Sequence, residues 1–124
     1  MNWEGRKVLV TGGASFIGSH LTDALVAMGA EVRVADDLSS GNKENIQAHI
    51  NSKAVEFLKG DLKDQNFVRK AVQSRDIVFH LAADHGGRGY VDLHQAACAT
   101  NLGLDASLFL ACRDADVEQV VYAS

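Results

Sequence analysis

Short apolar runs alternate along the chain with longer segments in which apolar residues recur every three or four positions. The first run, residues 7–11, is followed by a pair of glycines, and the next segment carries apolar side chains at helical spacing until Gly29. A short apolar run followed by an amphipathic segment is typical of a strand and then a helix. We therefore predict a strand at 7–11 and a helix at 15–28, which Gly29 ends.

The same alternation continues as far as residue 122. Further apolar runs predict strands at 31–35, 54–58, 76–82 and 119–122, and helical patterns predict helices at 44–51, 65–72 and 91–113. Strands that alternate with helices imply a parallel sheet, because a helical crossover is the short, right-handed way back to the sheet. The sequence thus predicts an α/β fold with a doubly wound parallel sheet.

The residues that follow the predicted strands belong to one edge of such a sheet. Gly12, Asp36, Asp61 and Ala82 all come at or just after the carboxyl end of a strand. In open parallel sheets, ligands bind outside these carboxyl ends, where the strand order reverses. We expect the binding site at this edge.

Length and composition limit the function classes. The 124 residues suffice for a single domain or part of one, and they are few for an enzyme of two lobes. Apolar residues make up 47% of the chain, which is typical of a globular protein. The net charge of −4 comes from dispersed charges without a basic stripe, so nucleic acid is a poor partner candidate.

Targeting segments and metal sites are not indicated by the sequence. No run approaches the ~18 apolar residues of a membrane-spanning helix, and the amino terminus lacks the order of a signal peptide, so we expect a cytoplasmic protein. Cys98 and Cys112 lack zinc or redox spacing, and we interpret them as buried thiols. The histidines His20, His49 and His94 show no metal spacing either.

The glycines after the first strand predict an anion site. Gly12 and Gly13 permit a tight turn, and Gly18 lets the first helix pack closely. The helix amino terminus then presents free amides and the positive end of its dipole, which suit a pyrophosphate. The alternative is a tight strand–helix turn that binds no ligand.

Ser15 occupies a position at which dinucleotide-binding turns usually carry a second glycine. Serine is among the best residues for capping a helix amino terminus, so we expect Ser15 to cap the helix and the site to survive. Its hydroxyl could also reach a phosphate.

Asp36 follows the second strand at the distance at which an acidic group meets the adenine ribose of a bound dinucleotide. A carboxylate accepts hydrogen bonds from both ribose hydroxyls and repels a 2′-phosphate, which favours NAD over NADP. Arg33 and Lys43 could soften this preference. The alternative is that Asp36 and Asp37 merely begin a turn.

Two further residues have two interpretations each. The pair Gly60–Asp61 would place a carboxylate near the adenine amino group, although such a pair is also ordinary turn chemistry. His80 lies in an apolar strand, and we interpret it as a hydrogen-bonded core histidine rather than a ligand.

Five segments together carry a family resemblance: TGGASFIGSHL, DDLSSGN, GDL, FHLAA and VVYAS. In this order, at the ends of successive strands, they resemble the nucleotide-sugar epimerases and dehydratases of the extended short-chain dehydrogenase family. The resemblance covers nearly the whole chain and implies a Rossmann-type fold that binds NAD. It also implies that residues 1–124 are an incomplete NAD-binding domain, with the substrate domain absent.

The resemblance implies cofactor contacts along the whole sheet edge. The pyrophosphate turn maps to Gly12, Ser15, Phe16, Ile17 and Gly18, and the ribose carboxylate with the loop beside the adenosine maps to Asp36, Asp37, Leu38, Ser39, Ser40 and Gly41. The adenine contacts map to Asp61 and Leu62, the segment beside the nicotinamide ribose maps to Leu81, Ala82 and Ala83, and a helix asparagine maps to Asn101.

The loop at 82–90 is similar to that of GDP-mannose 3,5-epimerases, in which a glycine-rich loop faces the sugar. This similarity implies substrate-side roles for His85, Gly86, Gly87 and Arg88, and a nucleotide sugar of the GDP-mannose type as substrate. The alternative is a flexible loop that leads into the next helix.

The family's catalytic Tyr-x-x-x-Lys pair is not found in these 124 residues. Tyr90 is followed four positions later by His94, and Tyr122 comes two residues before the end. We therefore expect no turnover from this chain alone, and transient hydride transfer to NAD in the complete enzyme. The rival interpretations are a non-catalytic NAD-binding sensor and a reductase of the same broad family. Exposed apolar helix faces and a sheet edge would favour association, with a homodimer as the candidate assembly.

Overall fold

Five parallel strands form a single sheet in this computed structural model, which describes residues 2–82 and 95–122, and side chains at 2–82 and 104–122. The strands are β1 (Lys7–Thr11), β2 (Glu31–Asp36), β3 (Val55–Lys59), β4 (Ile77–His80) and β5 (Gln119–Tyr122). The helices are α1 (Phe16–Ala27), α2 (Gln47–Asn51), α3 (Gln65–Val72) and α4 (Gln95–Asp114), and a 3-10 turn at Lys43–Ile46 precedes α2.

The strand order is β3-β2-β1-β4-β5, so the chain builds outward from β1 on one side and then crosses to the other side. The order therefore reverses between β1 and β4, which places the expected ligand site at the carboxyl ends of these two strands. The predicted fold class, a Rossmann-type doubly wound parallel sheet, is confirmed.

Both faces of the central strand β1 are buried, because helices pack on each side of the sheet there. Val8 and Val10 of β1 face α1 and pack with Leu25, whereas Leu9 faces α3 and α4 and packs with Leu108. All three β1 residues are fully buried. A central strand that is apolar on both faces explains why the sequence shows a continuous apolar run there rather than alternation.

Several strand boundaries differ from the prediction. β4 spans four residues instead of seven. Its last residue, His80, pairs with Thr11, where β1 ends, and the glycine turn that follows β1 does not continue the strand pairing. β2 extends to Asp36, which pairs with Lys59 of β3. Gly29, with φ +85°, ends the first helix as predicted.

The start of α4 and the loop before it cannot be compared with the prediction, because residues 83–94 lie outside the described part of the chain. In the described part, no helix is long and apolar enough to cross a membrane.

Candidate functional site

The turn after β1 is compact because three glycines bring backbone atoms close together. Gly12 has φ +72°, a left-handed conformation that glycine adopts without strain. A Cβ on Gly13 would lie 2.7 Å from a methyl group of Val34, and a Cβ on Gly18 would lie 2.1 Å from the carbonyl oxygen of Gly12. Conformation therefore requires glycine at Gly12, and space requires it at Gly13 and Gly18.

Ser15 caps α1, as predicted. Its Oγ accepts a hydrogen bond from the Gly18 N–H at 3.2 Å and donates one to the carbonyl oxygen of Gly12 at 2.6 Å. The hydroxyl proton is therefore engaged within the turn, and the cap closes the turn as well as the helix end.

The next two amides of α1 remain open. No described residue accepts a hydrogen bond from the N–H of Phe16 or Ile17. The side chains of these residues are 77% and 70% exposed, so the helix amino terminus faces solvent. Two free amides at the positive end of a helix dipole form an anion-binding geometry.

Asp36 is fixed in place by backbone amides on both sides. Its Oδ2 accepts from the Ala14 N–H at 3.0 Å and its Oδ1 accepts from the Leu38 N–H at 2.8 Å. The residue is only 8% exposed. An ionised carboxylate offers about four acceptor positions, so about two remain for a ligand.

The loop after Asp36 folds back over the glycine turn. The N–H of Asn42 and the Nδ2 of Asn45 both donate to the Ala14 carbonyl oxygen, at 3.0 Å and 2.8 Å. Gly41 lies so close that a Cβ would be 2.9 Å from Asp36 Oδ2. Leu38 has φ 64° and packs with its side chain against the core. These contacts fix the loop against Asp36.

On the far side, the turn after β3 brings a second carboxylate to the edge. Asp61 is exposed, and its Oδ1 accepts from the Lys63 N–H at 2.9 Å, which is the turn chemistry that the sequence left open. Its Oδ2 lies 4.0 Å from Lys63 Nζ. Leu62 is buried against α3 and α4.

The segment after β4 lies directly against the glycine turn. A Cβ on Gly12 would lie 3.0 Å from the backbone nitrogen of Ala82. The N–H groups of Leu81 and Ala82 both donate to Thr11 Oγ1, each at 3.1 Å. The carboxyl ends of β1 and β4 therefore meet without a gap.

These elements enclose one cleft of about 730 Å³, a volume within the usual range of small-molecule sites. Most of the predicted cofactor residues line it: Gly12, Ser15, Phe16, Ile17, Asp36, Asp37, Ser39, Ser40, Asp61, Leu62, Leu81 and Ala82. Three of the predicted residues are not among the lining residues: Gly18, Leu38 and Gly41. The remaining predicted residues, Ala83, His85, Gly86, Gly87 and Arg88, and the side chain of Asn101, lie outside the described part.

The two cations that the sequence placed near Asp36 are engaged elsewhere. Arg33 forms an ion pair with Glu56, and its Nη1 donates to the carbonyl oxygens of Ala71 and Gln73 at 2.9 Å and 2.8 Å. Lys43 Nζ lies 5.5 Å from the centre of the Phe57 ring. Neither residue lines the cleft. Within residues 2–82 and 104–122, no guanidinium therefore offsets the Asp36 charge.

Sequence reasoning missed several contacts at this edge. Lys63 and Leu104 also line the cleft.

Four polar side chains behind the cleft form what we call the His80 network: Thr11, His80, Asp105 and Tyr122. His80 is 1% exposed and hydrogen-bonded on both ring nitrogens, which confirms it as a core histidine. Its partners are distant in sequence, so no local pattern identifies them.

Other features lie away from the cleft. A second groove of about 650 Å³, the α3–α4 groove, runs between those two helices and is lined by residues that include Arg69 and Arg113, but it lacks a glycine turn and a buried carboxylate. Cys112 is buried, as predicted, and burial raises the pKa of its thiol to about 11. The side chain of Cys98 is outside the described part. Among the described residues, no cluster of histidine, cysteine and carboxylate side chains could hold a metal ion.

Comparison with known proteins identifies the relatives of this chain. The model of the NAD dependent epimerase/dehydratase family matches residues 8–124. A UDP-glucose 4-epimerase of Mycolicibacterium smegmatis is 39% identical over 119 residues, which are 95% of this chain and 38% of that protein. The chain thus spans little more than a third of the length of the UDP-glucose 4-epimerases that it matches.

Solved structures of relatives share the fold and contain NAD. The UDP-glucose 4-epimerase of Brucella ovis in complex with NAD is 31% identical, with a TM-score of 0.85 over 97% of this chain and 36% of that chain. A dTDP-glucose 4,6-dehydratase of Streptomyces venezuelae with bound NAD is 30% identical, with a TM-score of 0.84 over 92% of this chain and 38% of that chain. The family that the sequence indicated is confirmed, and so is NAD as its cofactor. This chain belongs to the NAD dependent epimerase/dehydratase family.

Proposed function

We propose that residues 1–124 form the NAD-binding part of a nucleotide-sugar epimerase or dehydratase. One observation carries the proposal: the open amides of Phe16 and Ile17 and the buried carboxylate of Asp36 line the same cleft at the point where the strand order reverses. The family membership supports it.

The glycine turn fits a pyrophosphate. A Cβ at Gly12 would lie 3.0 Å from the Ala82 nitrogen, and a Cβ at Gly18 would lie 2.1 Å from the Gly12 carbonyl oxygen, so the two glycines let the turn close tightly against α1 and the β4 segment. The amides of Phe16 and Ile17 would donate to the phosphate oxygens, as in other helix amino termini that bind phosphate. Ser15 would act through the cap rather than by donating to the phosphate, because its proton is bonded to Gly12.

Asp36 fits the adenine ribose. Its carboxylate is held by two backbone amides and keeps acceptor positions for two hydroxyl groups. A 2′-phosphate at this place would face a buried negative charge, and Arg33 and Lys43 are engaged elsewhere. We therefore propose that the chain selects NAD over NADP.

The remaining lining residues divide the cleft into two ends. Asp61 and Leu62 lie beyond β3 and would contact the adenine, whereas Leu81 and Ala82 lie beyond β4 and would contact the nicotinamide-side ribose. NAD bound in this direction would be able to accept a hydride from a sugar carbon. Epimerases and dehydratases that oxidise their sugar transiently use NAD in this way.

The proposed substrate is a nucleotide sugar. The relatives above act on UDP-glucose and dTDP-glucose by their names, whereas the loop at 82–90 resembles that of GDP-mannose 3,5-epimerases. We propose a nucleoside diphosphate sugar, and the two lines of support favour different nucleotides. A panel of UDP-glucose, dTDP-glucose and GDP-mannose distinguishes them.

Calorimetric titration with NAD and NADP tests the cofactor proposal. A contact between like unit charges at ~4 Å costs about 1 kcal/mol in bulk water and about 4 kcal/mol at an effective dielectric constant of ~20. We expect NADP to bind at least about tenfold more weakly than NAD. The variant Asp36→Asn should lose this discrimination, and Asp23→Asn, an exposed change on the far part of α1, should keep it.

Equal or tighter NADP binding by the unmodified chain would contradict the ribose assignment.

Turnover assays test the catalytic part: we expect no turnover from these 124 residues with saturating NAD, and turnover of a nucleotide sugar from a longer protein that includes a downstream Tyr-x-x-x-Lys. Steady turnover by the 124 residues would contradict the assignment. A longer protein that lacks the pair and binds NAD without turnover would favour the sensor interpretation.

A further inference from the structure

The His80 network connects four elements of the fold behind the cleft. His80 Nδ1 lies 2.7 Å from Thr11 Oγ1, and His80 Nε2 lies 2.7 Å from Asp105 Oδ1. The hydroxyl of Tyr122 donates to Asp105 Oδ2 at 2.9 Å. The network therefore joins β1, β4, α4 and β5 without using any side chain that lines the cleft.

Counting donors and lone pairs fixes the direction of each bond. Thr11 Oγ1 accepts from the backbone N–H groups of Leu81 and Ala82, which occupies both of its lone pairs. The single hydroxyl proton of Thr11 is then donated to His80 Nδ1. His80 must carry its own proton on Nε2, where it is donated to Asp105.

The Ala82 amide depends on this arrangement. The Leu81 N–H is shared with the carbonyl oxygen of Thr11 at 3.2 Å, whereas the Ala82 N–H has only the Thr11 hydroxyl as an acceptor among the described residues. Ala82 also packs against Gly12, the first residue of the pyrophosphate turn. The hydroxyl thus sets the position of the β4 segment against that turn.

We propose that His80 is a positioning residue for the cofactor: neutral and protonated on Nε2, it orients the Thr11 hydroxyl so that Leu81 and Ala82 are held as one wall of the cleft. This inference rests on the proposed function, since it assigns a role in NAD binding. It also gives a role to His80 and Asp105, which are buried and do not line the cleft.

Protonation of His80 would disturb the wall. A doubly protonated ring directs Nδ1–H at Thr11 Oγ1, so three donors would compete for two lone pairs and at least one of them would lose its bond. Burial lowers the pKa of His80, and Asp105 opposes this shift, so the neutral form prevails at neutral pH. The titratable groups that face the ring in the described part are Asp105 from α4 and Tyr122 from β5; its other neighbours there are Thr11 and Phe109.

The first experiment needs no cofactor. Nitrogen-15 NMR of the His80 ring should show the Nε2–H tautomer at pH 7.5, and the Ala82 amide signal should shift at the pH at which the ring titrates. An Nδ1–H tautomer, or an Ala82 amide that does not respond when the ring titrates, would overturn the inference.

The second experiment measures NAD affinity in matched variants. Thr11→Val keeps the shape and removes the hydroxyl, and we expect binding roughly three- to tenfold weaker, the value of about one net hydrogen bond. Thr11→Ser restores the hydroxyl and should bind within about twofold of the unmodified chain. Equal binding by Thr11→Val and Thr11→Ser would contradict a positioning role.

The pH dependence separates positioning from structural support. NAD affinity of the unmodified chain should fall as the pH decreases below the ordinary histidine value of about 6.5, with its midpoint where the His80 ring titrates. His80→Gln, whose amide offers one acceptor and one donor without titrating, should bind NAD independently of pH. His20→Asn, which removes the exposed imidazole beside Phe16, should keep the pH dependence.

A pH dependence that disappears in His20→Asn, or one whose midpoint differs from the His80 titration, would overturn the proposal. If His80→Gln does not fold, the two Thr11 variants decide. If the unmodified chain does not bind NAD at pH 7.5 although the NMR results are as expected, the proposed function is wrong and the hydrogen-bond directions stand.

Discussion

Replacing Gly18 with alanine tests how closely α1 packs on the glycine turn. The added Cβ would lie 2.1 Å from the Gly12 carbonyl oxygen and 2.8 Å from Gly13 Cα, both backbone atoms that cannot rotate away. Contacts of a Cβ below 3.0 Å essentially never occur in proteins. The helix or the turn must therefore move by almost an ångström.

The expected cost combines two opposing contributions. Overpacking typically costs ~1–3 kcal/mol, and the preference of about 1 kcal/mol for alanine over glycine in a helix interior offsets at most part of this cost, because Gly18 lies in the first helical turn. We therefore expect a net loss of up to about 2 kcal/mol, which lowers the melting temperature of a domain of this size by up to roughly 10 °C. The movement also displaces the amides of Phe16 and Ile17, and a lost hydrogen bond to a charged group costs about 1.5–3 kcal/mol. NAD affinity should therefore fall at least about tenfold.

Thermal unfolding and calorimetric titration with NAD measure both effects. The matched control is Ala24→Gly, an exposed change on the same helix, which costs about 1 kcal/mol through helix propensity alone. This control should lower the melting temperature and leave NAD affinity unchanged. Unaltered stability and affinity in Gly18→Ala would refute the close approach, and an equal affinity loss in Ala24→Gly would show that general destabilisation explains the effect.

Two further predictions follow from the same structure. Ser15→Gly should keep or improve NAD binding and cost only a few tenths of a kcal/mol, whereas Ser15→Ala should cost about 1 kcal/mol of stability through the lost cap; a large affinity loss in Ser15→Gly, measured by titration, would show that the hydroxyl itself binds the phosphate. Cys112, whose thiol has a pKa of about 11 because it is buried, should be ionised in about one molecule in a thousand at pH 8. In a Cys98→Ser background it should react slowly with iodoacetamide until the chain is denatured, and the rate should rise with pH up to that pKa; fast labelling of the folded chain at pH 8 would contradict the assigned burial.

The fold was predictable because its signals are local. The apolar periods of β1 and α1, the stop at Gly29 and the cap at Ser15 each depend on neighbouring residues. The glycine turn was predictable for the same reason, although the sequence did not show that Gly13 is required by its contact with Val34.

The rest of the site depends on contacts between residues that are far apart in sequence. The amide of Ala14 that fixes Asp36 lies 22 positions before it, and Thr11 and His80 are separated by 69 positions. Only the sheet register, which pairs Thr11 with His80, brings that pair together. His80 was predicted to be hydrogen-bonded in the core, but its partners could not be named, because no sequence period specifies a pairing across strands.

A crystal structure of the chain with NAD would show directly where the cofactor binds. We expect the pyrophosphate to lie within hydrogen-bond distance of the Phe16 and Ile17 amides, and the adenine ribose hydroxyls to bind the Asp36 carboxylate. NAD bound in the α3–α4 groove, or in the cleft with its adenine ribose away from Asp36, would contradict this expectation.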